Sequence, residues 1–197
     1  MHLRRLVSAL LAMWLAGSLF MAGVATANFR IADEVFRTQV FELIRTSELL
    51  GSPLMRQVLR YEASEMNRFY FESWEAIQMG LGAALLLPII FGKLRRYLAV
   101  TVVVMLALVA AQHWVLTPRL TSLGRLFDFA DPGSLLTERS QFRTLHNLYT
   151  GIELAKMGTL AALSGILLYQ GERRRRSRHA DDEVDAVHDA DHGHVDR

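Results

Sequence analysis

Residues 76–116 read AIQMGLGAALLLPIIFG (Ala76 to Gly92), KLRR (93–96) and YLAVTVVVMLALVAAQHWVL (Tyr97 to Leu116). Two long apolar runs are parted only by a basic turn, and the second carries no charge. Crossing about 30 Å of hydrocarbon takes roughly 20 mostly apolar residues, and a helix satisfies its own backbone there. The pair therefore reads as a transmembrane helical hairpin, and the other apolar segments can be counted outward from it.

Upstream, the basic head Met1-His2-Leu3-Arg4-Arg5 precedes an uncharged stretch, Leu6 to Phe29, long enough to span. Ala25-Thr26-Ala27 has the A-x-A form of a signal-peptidase site, so a cleaved leader is one reading. The apolar stretch is longer than the 7–15 residues of a usual leader, so a retained first span is expected instead. Ala12 with Ala16, or Ser18 with Ala22, would let another helix approach closely.

Arg30 to Glu72 is charged but patterned. Phe36, Val40, Leu43 and Ser47 share a helical face, with Glu34, Arg37, Arg45 and Glu48 largely elsewhere. Gly51-Ser52-Pro53 stops one helix and starts another, giving a helical hairpin outside the membrane over about 30–73. With no glycine or proline between Pro53 and Gly80, the second arm is expected to run unbroken into the bilayer. From Pro53 to Gly92 it would measure about 60 Å, roughly twice the hydrocarbon thickness. Its Glu62, Glu65, Arg68 and Glu72 read as a solvated, ion-paired face.

Beyond the central pair, Pro118 is expected to end the third span. Leu120 to Arg143 is expected to be a loop, with turns at Gly124 and Asp131-Pro132-Gly133. A fourth span over about 148–170 carries Glu153 and Lys156. Arg173, Arg174, Arg175, Arg176 and Arg178 follow, then an acidic tail with His179, His188, His192 and His194; residues 172–197 are expected to be a disordered cytoplasmic tail. The expected fold is thus all-α: an integral membrane four-helix bundle (spans about 6–28, 75–92, 97–116 and 148–170) with an extramembrane helical hairpin between spans one and two.

Basic residues at 4–5, 93–96 and 173–178 fall on one side of four spans, so the positive-inside rule puts both termini in the cytoplasm and the protein in the plasma or inner membrane. The charge, +2 in 197 residues, hides this segregation and is no sign of nucleic-acid binding. With no cysteine there are no disulfides and no thiolate chemistry. Phosphate-binding glycine loops, the zinc-type His-Glu-x-x-His and the nucleophile elbow are all absent, so neither an enzyme nor a cofactor is expected.

The threading brings distant polar residues to one depth, near the outer boundary. Glu75 and Gln78 fall there on span two, Gln112 and His113 on span three, and His146, Asn147, Glu153 and Lys156 on span four. Ionisable groups inside spans face a bundle interior, a cavity or a partner. The cluster reads as an interhelical hydrogen-bond clamp, as a ligand, ion or proton site, or as a haem or metal site held by His113 and His146. On span four, Gly151, Ala155, Gly158, Ala162 and Gly165 make a stripe of small residues opposite Glu153 and Lys156. That stripe could serve a homo-oligomer or pack on a second neighbour within the bundle, while Glu153 and Lys156 neutralise each other. The arginines at 173–178 are either a topology signal or an anchor on anionic lipid.

Leu116-Thr117-Pro118-Arg119 closing one span, followed by Phe142, His146 and Leu148 opening the next, resembles the transmembrane-protein-205-like family of small four-span membrane proteins. Glu153 stands where that family carries an asparagine. The likeness covers roughly Tyr97 to Leu168 and implies a four-helix integral membrane protein whose biochemistry is unsettled. The composition leads to a non-enzymatic interaction or structural membrane protein; the alternatives are a small oligomeric transporter or ion- or proton-handling protein, and a b-type haem carrier.

Overall fold

A computed structural model describes residues 2–37, 52–92, 95–131 and 133–192, with side chains for 3–35, 53–92, 95–131 and 133–170. Its helices are α1 (His2–Arg37), α2 (Ser52–Phe91), α3 (Arg96–Ala111), a π-helical turn (Gln112–Leu116), α4 (Thr117–Phe127) and α5 (Leu136–His192). No strand occurs among the described residues. Four helical stretches are long and apolar enough to cross a membrane: Leu3–Val35, Pro53–Phe91, Arg96–Phe127 and Leu136–Gln170.

α1 packs on α2 and α5, α2 on α3, and α4 on α5. The apolar core joins Val7 and Leu11 of α1 to Leu85 and Ile89 of α2, Val102 and Val109 of α3, and Leu160 and Leu163 of α5. Outside it, Phe20, Leu87, Ile90, Val103 and Leu168 are exposed, so each of the four long helical stretches turns large apolar side chains outward. The start of α1 lies beside the α2–α3 turn, since a Cβ at Gly92 would collide with Leu3. Arg4, Arg5, Arg95 and Arg96 therefore share one end of the bundle.

α2 is unbroken from Ser52 and forty residues long, about 60 Å by helix rise, as its lack of early breakers predicts. α1 likewise runs on to Arg37. Side by side, their far ends are tied by Asn28 Nδ2 donating to Asn67 Oδ1 (2.6 Å) and by Asp33 accepting from Arg56 (3.3 Å) and Arg60 (3.5 Å). The amphipathic pattern over 38–51 lies outside the described residues.

Three sequence expectations change. The helix does not end at Pro118: a π turn precedes it, α4 continues to Phe127 and α5 starts at Leu136, so two thirds of the expected 120–143 loop is helix. Proline sits at the start of α4, where its missing N–H and fixed φ cost little. The backbone of α5 continues helical to His192 rather than ending near Gly171; residues 172–192 contain no glycine or proline to stop it. Close approach along α1 occurs at Gly17, where the Trp74 indole lies against the backbone, while Ala12, Ala16 and Ala22 are exposed.

Candidate functional site

Each of the four membrane helices places polar side chains in a buried network at the level of Gln78. Trp14 Nε1 of α1 donates to Gln78 Oε1 (3.0 Å), and Lys156 Nζ of α5 donates to the same oxygen (2.7 Å). Two donors converging on one oxygen fix the orientation of the Gln78 amide. Lys156 Nζ also donates to Gln112 Oε1 (2.6 Å) and Glu153 Oε1 (2.7 Å), and Gln112 Nε2 donates to Glu153 Oε1 (3.1 Å). The ammonium thus spends its three protons on three acceptors from three helices. Lys156 is 1% exposed, and Gln78, Gln112 and Glu75 are fully buried.

One turn further out, Glu75 is the second node. Its Oε1 accepts from Thr117 Oγ1 and from Tyr149 OH (2.8 Å), and its Oε2 pairs with His113 Nδ1 (3.1 Å). The π turn makes this possible. Its wider backbone lets Thr117 N–H reach back to Gln112 O, and it brings Gln112, His113 and Thr117 to the interior together. π turns inside α-helices recur at such functional positions.

Glu75, Gln78, Gln112, His113, Glu153 and Lys156 therefore meet, as their shared depth predicts. His146 and Asn147 do not: both are exposed, and the His146 ring stacks on Phe142 at 5.9 Å. His113 is engaged by Glu75 while His146 lines a separate cleft, so the expected histidine pair shares no partner. No cluster of three or more His, Cys, Asp or Glu is placed to hold a metal among the described residues. Sequence reasoning missed Trp14, Thr117 and Tyr149. Tyr149 was recoverable, since it precedes Glu153 and Lys156 by four and seven residues on one helical face.

Above the network, α2 is braced on α4. Glu65 accepts from Arg125 Nε (2.9 Å) and Nη2 (3.0 Å) and from Arg68 Nη1, while Arg68 Nη2 donates to Asp128 Oδ2 (3.0 Å). The expected solvated face is ion-paired, but across to α4 as well as along α2. Beside it lies a cleft of about 400 Å³ between α1, α2, α4 and α5. Met21, Phe29, Phe71, Phe142, Leu154 and Met157 supply its apolar walls, and Glu153 joins it to the network. Compared with known protein families, curated proteins and solved structures, the chain matches none. The chemistry of the network and the cleft is what carries a functional reading.

Proposed function

We propose that this is a non-enzymatic, multi-pass protein of the plasma or inner membrane with cytoplasmic termini. Its polar network clamps four spans together, and its outer helical hairpin contacts partners. One observation carries the clamp: each member of the network bonds to residues on other helices, leaving only Gln78 Nε2 among its buried side-chain polar atoms without a partner. A site shaped for transport needs groups held ready for a solute, whereas these are spent on one another. Partner contact is supported by apolar side chains on the outer parts of α2 and the α4–α5 region, with Phe69, Leu126 and Leu136 more than half exposed. Trp14 and the Gly17–Trp74 contact make residues 1–27 part of the bundle in this reading, as a retained first span. The likeness to the transmembrane-protein-205-like family agrees with it, and the arginines at 173–178 add an anchor on anionic lipid worth about 1 kcal/mol per residue near the surface.

The second reading, a proton- or ion-handling protein, is favoured by one observation: two carboxylates, Glu75 and Glu153, share the network with a single lysine. When His113, paired with Glu75, is neutral, the network carries a net negative charge that calls for a proton or a cation. Reconstitution into vesicles holding a pH-sensitive dye separates the two. The clamp reading expects no proton flux above that of protein-free vesicles. A flux supported by the wild type and lost in Glu75→Gln at equal folded yield would establish the second reading instead. A purified protein without absorbance in the haem Soret region is expected on both.

A further inference from the structure

The network leaves one carboxylate oxygen open beside the cleft. Glu153 Oε1 accepts both hydrogen bonds that reach this side chain, from Lys156 and Gln112. Its Oε2 accepts from no protein group and yet is not buried. The side chain keeps 15% of its surface accessible and lines the cleft. With His113 neutral, Glu75 and Glu153 share the network with one ammonium, so the negative charge next to the cleft is not fully balanced. A largely desolvated carboxylate with an open oxygen calls for a positive partner.

The other ionisable groups on the cleft do not supply that partner. Arg68 lines it, but its guanidinium is held by Glu65 and Asp128. The Tyr149 hydroxyl is donated to Glu75, and His146 lies two helical turns from Glu153 along α5, stacked on Phe142. The walls favour an organic occupant. Phe29, Phe71 and Phe142 line the cleft and are each only half-buried, and Met21, Leu154 and Met157 add flexible apolar surface. Ring faces attract cations, more strongly where water is excluded. A small inorganic ion would need a cage of ligands, and no group of three or more His, Cys, Asp or Glu is placed to form one among the described residues. The volume of about 400 Å³ lies within the range of small-molecule pockets, about 300–1,000 Å³. We infer that the cleft binds a lipophilic, monovalent organic cation, its charge beside the Glu153 carboxylate and its hydrocarbon on the aromatic and methionine walls. This rests on the charge imbalance behind the ion-handling reading but requires no flux, and it uses the oxygen that the clamp leaves over.

The test uses the full chain purified in dodecyl maltoside, an uncharged detergent. Tetraphenylphosphonium is the probe, and tetraphenylborate, with the same shape and the opposite charge, is its control. Titration calorimetry should show saturable binding of the phosphonium to the wild type. The borate should bind at least about tenfold more weakly, because it brings like charge to the carboxylate. Ala22 is exposed and lines the cleft, away from the network, so Ala22→Phe grows a ring into the binding volume. That variant should keep its folded yield and lose most of the phosphonium affinity. Glu153→Gln keeps an oxygen for Lys156 and Gln112 and should also lose most of it. Absence of saturable binding, equal binding of phosphonium and borate, or full affinity in either folded variant would each overturn the inference. The first two are read on the wild type, so they decide even if Glu153→Gln fails to fold. Binding without proton flux would sink the ion-handling reading alone, and flux without binding would sink this inference alone.

Discussion

At the scale of the residue, Lys156 is the group on which most depends. Lys156→Met keeps the length of the side chain but strands Glu153 beside two glutamines. Removing one member of a buried ion pair typically costs about 3–5 kcal/mol, because the remaining charge is left without compensation. Thermal unfolding in detergent should therefore show a large loss of stability for Lys156→Met. Adding Glu153→Gln to it should recover most of the loss, since a neutral amide takes the place of the stranded carboxylate. No recovery in the double variant would mean that Lys156 acts through Gln78 and Gln112 rather than through Glu153. At Glu75 the expected order is reversed in size. Glu75→Gln retains an oxygen for Thr117 and Tyr149 and should cost about 1 kcal/mol, while Glu75→Ala orphans three partners and should cost two to three times that. Most of this site could be read from depth alone, because Glu75, Gln78, Gln112, Glu153 and Lys156 are expensive in lipid and have to meet. Trp14 and Thr117 could not. An indole or a hydroxyl in a span is common, and only the packed geometry tells which one finds an acceptor.

At the scale of the element, the third span shows where sequence rules misled. Pro118 reads as a stop because proline breaks the i→i−4 ladder, yet the π turn before it restarts the helix so that proline falls at a position needing no N–H. Turn type is set by what the side chains on either side have to reach, here Glu75 and Lys156, and no local signal encodes that. Deleting Val115, which is exposed, should convert the five-residue π turn to regular helix and rotate Thr117 and α4 away from Glu75. The expected result is an α-helical protein of normal helix content by circular dichroism but with stability reduced at least as far as in Glu75→Ala. Unchanged stability would show that the π turn is incidental to the network. By contrast, the continuity of α2 was legible as far as Gly80, since no glycine or proline follows Pro53 before it, and Gly80, Gly82 and Pro88 fall in the apolar part, where neighbouring helices and the bilayer-embedded context tolerate them. The brace between α2 and α4 has a graded prediction. Arg125 is exposed, so Arg125→Ala should cost under about 1 kcal/mol despite its two bonds to Glu65. Arg68→Ala should cost more, because it frees both Glu65 and a largely buried Asp128.

At the scale of the whole molecule, threading and assembly are both open to direct measurement because the chain has no cysteine of its own. In intact cells, a membrane-impermeant maleimide should label Ser134→Cys, in the α4–α5 connection, and should not label Ser177→Cys, which follows the arginines. The opposite pattern would invert the topology on which partner contact through the outer hairpin rests. The proposed homo-oligomer rests on the stripe of small residues along α5. Gly151, Ala155, Gly158, Ala162 and Gly165 are all exposed, and a Cβ built at Gly151, Gly158 or Gly165 meets nothing within 4 Å. The stripe therefore does not pack on a second helix of the same bundle, and small residues facing outward from a membrane helix suit close contact with another copy. The sign of one substitution tells a lipid-facing stripe from an interface. If only lipid meets Gly158, Gly158→Ala should raise stability by up to about 1 kcal/mol, the helix-propensity gain of alanine over glycine, and Gly158→Leu should leave the particle mass in detergent as it was. If a second copy packs there, Gly158→Leu should shift the mass from oligomer to monomer while the fold of each monomer persists, because within one chain the added side chain has nothing to strike. The second outcome is the one expected for a homo-oligomer built through α5, and a wild-type protein that is already monomeric would remove it.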